Sequence, residues 1–374
     1  MIKFFSKIFV RRLYHLSTIK DVAQLAGVSY ATVSRILSHD ETFSASIATK
    51  ERVWEAARSL SYTPRVQAKK KAGISGKNTL AIEKYKVGCI LHPRCSNDLS
   101  PTMKGLSSVQ TGSERIAPYF LEILEKLREQ FRSNNMELLF TEFSTDLEND
   151  KSLEKIMENR PDGILWVKEI DPVFFQRVNS YVTNHVGIDS HFRLMDDVST
   201  EKQLSMVRLV EYLHQNGRKR IAFIGGAPDQ YTTMADSARY QGYLSGLKQQ
   251  GIMYCKEYAR DSNWNLETCY QQTCELLKLD APPDAIMCAN DNMAFSVFRA
   301  IYERQLSIPK DIAVTGYENM PISGYLSPPL TTIDIHKEAM AKTAVNMLLD
   351  RIKGDVSAIR SVTYHADLII RASA

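Results

Sequence analysis

The stretch TIKDVAQLAGVSYATVSRIL, Thr18 to Leu37, carries a helix start, a break and a second helix start in one short run. Thr18 stands before an apolar-periodic segment with Asp21 three residues on, a variant of the capping box that satisfies the free amides of a helix start. Gly27 ends that helix. Ser29 is placed to cap the next, and Val22, Ala23, Ala26, Val28, Val33 and Ile36 supply apolar faces on which two short helices pack at a steep angle. A third helix follows in KERVWEAARSLSY, where Val53, Ala56, Ala57 and Leu60 fall at i, i+3, i+4 and i+7. The pattern is a helix-turn-helix, and a core this small serves to present its second helix. Tyr30, Ala31, Thr32, Ser34 and Arg35 lie outward on that helix, a mix suited to base edges and phosphates in a major groove. The competing reading is a small amphipathic bundle with no ligand.

Charge follows the same division. The chain of 374 residues has a formal charge of +4, yet the segment through Lys77 carries +9 and the remainder −5. A basic head on a mildly acidic body suits a nucleic-acid module joined to a small-molecule domain. After Pro64 the run TPRVQAKKKAGISGKNTLAIEKYK reads as a linker, in which Lys69, Lys70 and Lys71 suit phosphate or narrow-groove contacts, or simple solvation.

Six cysteines lie scattered without CxxC pairs, so no zinc site or disulfide framework is expected. Neither a cofactor nor a metal is implied. No apolar run reaches the length of a membrane span, and a cytoplasmic, nucleoid-associated protein is expected. The opening MIKFFSKIFVRRLYHLS fits a secretory signal poorly, because Lys3, Lys7 and Arg11 interrupt it and no small-residue cleavage site follows. Residues 1–17 are expected to be a non-native extension before a start at Leu16, with Arg11-Arg12 encoded by a ribosome-binding sequence.

From Lys86 short β-rich runs alternate with helical ones, the signal of doubly wound parallel sheets. The strands read VGCILH, MELLFTEF, DGILWVK and HVGID, then RIAFIGG, CKEYAR, DAIMCAN and IAVTGYE. Two sets of four imply two lobes. The tail, with TTIDI, a helix near 337–353 and a strand TYHADLII, then crosses back to complete both. Ligands of such folds bind where strand carboxyl ends converge. Asp189, Arg239, Trp264, Asn290 and Glu318 sit on those ends or on the helix starts that follow. Each also has a structural reading: Asn290 as a helix cap, Asp189 in a turn, Trp264 as core, Arg239 as a solvated charge.

The spacing AxxxGVSxxTVSR resembles the DNA-binding head of the LacI/GalR family of bacterial transcription regulators, and the likeness extends over nearly the whole chain. That resemblance implies a small all-α helix-turn-helix head plus an α/β, two-lobed, periplasmic-binding-protein-like domain. The expected divisions are 18–64 for the head, 65–85 for a hinge and 86–374 for effector binding and dimerisation. Lobe 1 would take about 86–198 and 336–360, and lobe 2 about 199–335 and 361–374. The resemblance implies that Tyr30, Ala31 and Arg35 touch operator bases; a small residue at position 31 favours a thymine methyl. It implies a hinge that lies in the minor groove, with Lys71 at the position of the usual apolar wedge. It matches Arg239 and Asn290 to residues that hold sugar hydroxyls, Asp189 to a cleft acid, and Trp264 to a face for a pyranose, with Glu318 where an aspartate is more familiar.

Two segments depart from the family pattern: the loop around 93–117, long and rich in Gly, Ser and Pro, and KEIDPVFFQRV, where the charged pair Lys168-Glu169 follows the third strand. The DETFS and PPLTT strings resemble family members that govern galactose and β-galactoside use. The expected protein is a repressor of a carbohydrate-use operon, a homodimer on double-stranded operator DNA released by a small sugar effector, or a family member answering to a corepressor or protein partner. An α/β enzyme is the contrasting class, but the GG of AFIGGAP lacks the rest of GxGxxG and no Ser/His/Asp or metal constellation has suitable spacing. A transport-type sugar-binding protein is opposed by the basic head.

Overall fold

A computed structural model describes residues 18–37, 43, 45–60, 84–92, 117–147, 150–227 and 232–374. The expectations for residues 1–17, for Lys69, Lys70 and Lys71, and for the loop around 93–117 up to Ile116 fall outside them. The chain divides into two compact units, Met1–Ile82 and Glu83–Ala374.

The first unit holds α1 (Ile19–Ala26), α2 (Tyr30–Leu37) and α3 (Ile47–Ser59). The Asp21 carboxylate accepts both the Thr18 amide and hydroxyl at 2.7 Å. Gly27 takes a left-handed conformation, φ +64° and ψ +37°. Its amide donates to Gln24 O while the Val28 amide donates to Ala23 O at 3.1 Å, the paired bonds of a Schellman ending. Ser29 Oγ accepts the Thr32 amide at 3.1 Å and starts α2. The faces so aimed bury Val22, Val33 and Val53 completely, with Ala56 and Ala57 beside them and Leu60 at the edge.

The second unit contains two parallel sheets. Its first lobe is built on β1 (Tyr85–Leu91), β2 (Met136–Phe143), β3 (Gly163–Val167), β4 (His185–Ile188) and β5 (Asp196–Thr200), joined by β11 (Ser361–Tyr364) in the order β11-β5-β4-β3-β1-β2. The second has β6 (Ile221–Gly225), β7 (Ala259–Asp261), β8 (Ala285–Cys288) and β9 (Ala313–Thr315) in the order β7-β6-β8-β9. β10 (Thr332–Asp334) and β12 (Asp367–Ile369) form an antiparallel pair. Flanking helices include α4 (Pro118–Ser133), α5 (Asp150–Met157), α6 (Pro172–Asn179), α7 (Lys202–Gln215), α8 (Ala238–Gln249), α9 (Leu266–Leu276), α10 (Asp291–Glu303) and α11 (Lys337–Ile352). Strands buried along their whole length, such as GILWV and IAFIG, read as unbroken apolar runs because helices cover both faces. α7 and α8 approach closely at Gly242, where an added Cβ would meet Gln203 O at 2.3 Å.

Three expectations change. CKEYAR is not one strand: Lys256–Tyr258 forms a 3-10 turn and β7 begins at Ala259. TYHADLII splits at His365, so that β11 completes the first sheet beside β5 and only β12 reaches the second lobe. Crossings between lobes therefore fall a few residues later than expected, after Thr200 and after Tyr364. The strand DDVST was not anticipated because its side chains are polar. It is buried because Arg351 reaches Asp196 with two nitrogens at 2.7 and 2.9 Å, and Ser190 donates to Asp197 at 2.6 Å. Among the described residues no helix is long and apolar enough to cross a membrane.

Candidate effector cleft and DNA-reading face

On the head, Tyr30, Ala31 and Arg35 are exposed on one side of α2, opposite the buried Val33 and Ile36. Thr32 and Ser34 are half-buried, and the Thr32 hydroxyl lies 2.8 Å from that of Ser29, so Thr32 serves the helix start as well as the outer face. The Arg35 guanidinium sits 5.4 Å from the Phe43 ring centroid, which steadies a long side chain at the end of the helix.

In the second unit a cavity of about 880 Å³ opens between the lobes. The first lobe contributes Tyr119 and Phe120 from α4, Lys168 and Glu169 after β3, and His191 after β4. The second contributes Arg239 at the start of α8, Trp264 before α9, Asn290 before α10 and Glu318 after β9. Four of the five residues singled out by sequence thus line one space. Asp189 does not: it stands behind the wall, where Lys168 and Lys202 hold its carboxylate at 2.9 and 2.7 Å. Burial alone would raise its pKa, but these two ammonium groups hold it well below the carboxylate range.

The structural alternatives resolve residue by residue. Arg239 is not a solvated charge, being 7% exposed, and its guanidinium lies 4.3 Å from the Tyr317 ring centroid and 5.7 Å from that of Trp264. It pairs with Glu318 at 3.6 Å, too long for a good hydrogen bond. Arg239 Nε and Glu318 Oε2 are buried without a partner among the described residues. Burial lifts the Glu318 carboxyl to about 7 despite the opposing pull of Arg239. Asn290 does cap its helix, its Oδ1 accepting the Met293 amide at 2.9 Å, which leaves the side-chain NH2 for the cavity. Trp264 is half-buried, anchored by its indole N–H on Ala227 O at 2.7 Å.

Lys202, Glu169, Tyr119 and Phe120 were not singled out as cleft residues. The charged pair after the third strand was the one available signal for Glu169; Lys202 reads in sequence as a surface helix charge. Burial pushes Lys202 down to about 8, with Asp189 pulling the other way. Among the described residues no group of His, Cys, Asp and Glu suits a metal ion.

The comparisons agree with this geometry. Residues 18–65 match the family described as bacterial regulatory proteins, lacI family, and residues 210–374 match a periplasmic binding protein-like domain. The HTH-type transcriptional repressor PurR of Glaesserella parasuis serovar 5 (strain SH0165) is 30% identical over 372 residues, covering 96% of this chain and 98% of that protein. The chain belongs to the LacI family. A PurR repressor of Actinobacillus pleuropneumoniae serotype 3 (strain JL03) is 28% identical over 368 residues, covering 96% and 98%. Among solved structures, the regulator CelR in complex with cellobiose aligns over 96% of this chain and 100% of that one, with a TM-score of 0.62 at 20% identity. A lac repressor dimer bound to operator and the anti-inducer ONPF aligns over 96% and 99%, at 0.60 and 22%. As a LacI-family member the chain is a DNA-binding transcriptional repressor and not an enzyme.

Proposed function

We propose that this LacI-family repressor senses a small sugar in the cleft between its lobes, with a galactoside as the leading candidate, and governs a carbohydrate-use operon as a homodimer on a pseudo-palindromic operator. The carrying observation is the cavity of about 880 Å³ in which Arg239, Asn290 and Glu318 offer polar groups beside the face of Trp264. Planar donors and acceptors around an aromatic face suit a pyranose, which has an apolar C–H side and a hydroxyl edge. The fold-level likeness to a regulator solved with cellobiose supports a sugar of one or two rings. The galactoside itself rests on the DETFS and PPLTT strings, and the relatives named above carry the name PurR. Tyr30, Ala31, Thr32, Ser34 and Arg35 are the proposed operator contacts, with Lys69, Lys70 and Lys71 on phosphates.

Operator affinity measured against a panel of mono- and disaccharides tests the reading. Arg239→Ala or Asn290→Ala is expected to keep operator binding, lose release by the sugar and repress constitutively. Unchanged sugar affinity in both variants removes these residues from the site; release by no galactoside discards the proposed ligand.

A further inference from the structure

The side chains around the cleft divide into those whose bonding capacity is spent inside the protein and those that retain some. Lys168 turns its ammonium to Asp189 and Lys202 turns its own to Asp189 and His191, and Asn290 gives its carbonyl to α10. Three buried atoms keep their capacity: Glu169 Oε2, Glu318 Oε2 and Arg239 Nε have no hydrogen-bond partner among the described residues. Glu169 stands after β3 in the first lobe, while Glu318 and Arg239 belong to the second, and all three residues line the same space. A buried acceptor left without a donor costs free energy that a ligand donor recovers, so unspent acceptors describe the missing partner.

We propose that Glu169 determines effector specificity together with Glu318, the unpartnered carboxyl oxygens of the two receiving hydrogen-bond donors from one ligand that spans both lobes. The effector is therefore a neutral polyol or an amine-bearing one, not a sugar acid or a phosphate ester. This rests on the reading of the cleft as an effector site. An acidic group would face two acidic side chains, Glu169 and Glu318, while the cations nearest to it, Lys168, Lys202 and Arg239, are already turned toward Asp189 and Glu318. Hydroxyl or ammonium groups satisfy both walls at once, and closing the lobes around them brings the two acceptors onto one molecule.

The test is calorimetry on the full chain with D-galactose, D-galactosamine, D-galacturonate and D-galactose 6-phosphate, and with the corresponding gluco compounds. For whichever ring binds, the neutral and amino sugars are expected to bind at least about tenfold tighter than the acid and the phosphate, and Glu169→Gln to weaken them by about the same factor without lowering the melting temperature. Tighter binding of an acid or phosphate, or a Glu169→Gln protein that binds as wild type does, overturns the proposal. If no sugar of the set binds, the sugar reading fails by itself, and thermal melting with 1,4-diaminobutane against succinate decides the donor reading. Stabilisation by the diamine that disappears in Glu169→Gln supports it; stabilisation by succinate, or by neither probe, overturns it.

Discussion

Glu318 shows how one residue can carry a cost for the whole cleft. Its folded value of about 7 lies above the ordinary 4.5, so the native state keeps a proton that the unfolded chain gives up. Stability tied to this group is fully present below the unfolded value and is lost as pH rises through 7, a fall of about 3 kcal/mol at most. Urea unfolding at pH 5 and pH 8 is expected to show that fall in wild type and a smaller one in Glu318→Gln; equal slopes would assign the carboxyl an ordinary environment. On the DNA side, Arg35→Ala is expected to cost roughly 1 to 3 kcal/mol of operator binding and to relax preference at one base position. Binding to matched and mismatched duplexes checks this, and equal losses on specific and random DNA would deny a base-reading role. The identities of Arg239, Trp264, Asn290 and Glu318 as cleft residues were legible from residue type and place in the strand-helix order. Asp189 misled because its lysine partners are distant in sequence, at positions 168 and 202.

At the scale of elements, the helix-turn-helix was the most legible part because its signals are local. A cap, a left-handed glycine and a second cap each act within four residues. A Cβ added at Gly27 would meet nothing within 4 Å, but the backbone there has a φ of +64°. Gly27→Ala is therefore expected to destabilise the head by about 1 to 2 kcal/mol through backbone strain alone. Thermal melting with operator titration would register this as earlier loss of binding; an unchanged profile would mean the turn tolerates an ordinary residue. Elements missed in the body have the opposite character. DDVST is a strand because Arg351 and Ser190 satisfy its acids from other segments, and no local pattern announces that. CKEYAR has strand-like residues, yet its first part is held as a turn in which the Tyr258 amide donates to Cys255 O at 3.1 Å.

At the scale of the molecule, three chain crossings join the lobes, and charged side chains tie them together. Glu201 at the first crossing bonds Arg208, His365 Nδ1 and the Ala366 amide, and His336 at the second lies 3.1 Å from Asp367 beyond the third. A rotation of one lobe against the other must work through these ties. If effector and operator favour different lobe arrangements, each weakens the other's binding by the same factor, typically worth about 1 to 3 kcal/mol. Sugar binding measured with and without operator is expected to show that reciprocity, and Glu201→Ala to shrink the coupling; a sugar affinity indifferent to operator would separate the two activities. The sequence by itself determined the reading helix, the alternation of strand and helix, and the carboxyl-end positions where a ligand belongs, since all three depend on neighbours in the chain and on the period of apolar residues. Only the tertiary structure decided which strand completes which sheet, that Asp189 is consumed by Lys168 and Lys202, and that Glu169 and Glu318 keep unpaired oxygens in one cavity. Those outcomes depend on charges and donors brought together from remote segments, where burial sets the cost of leaving each one unpaired.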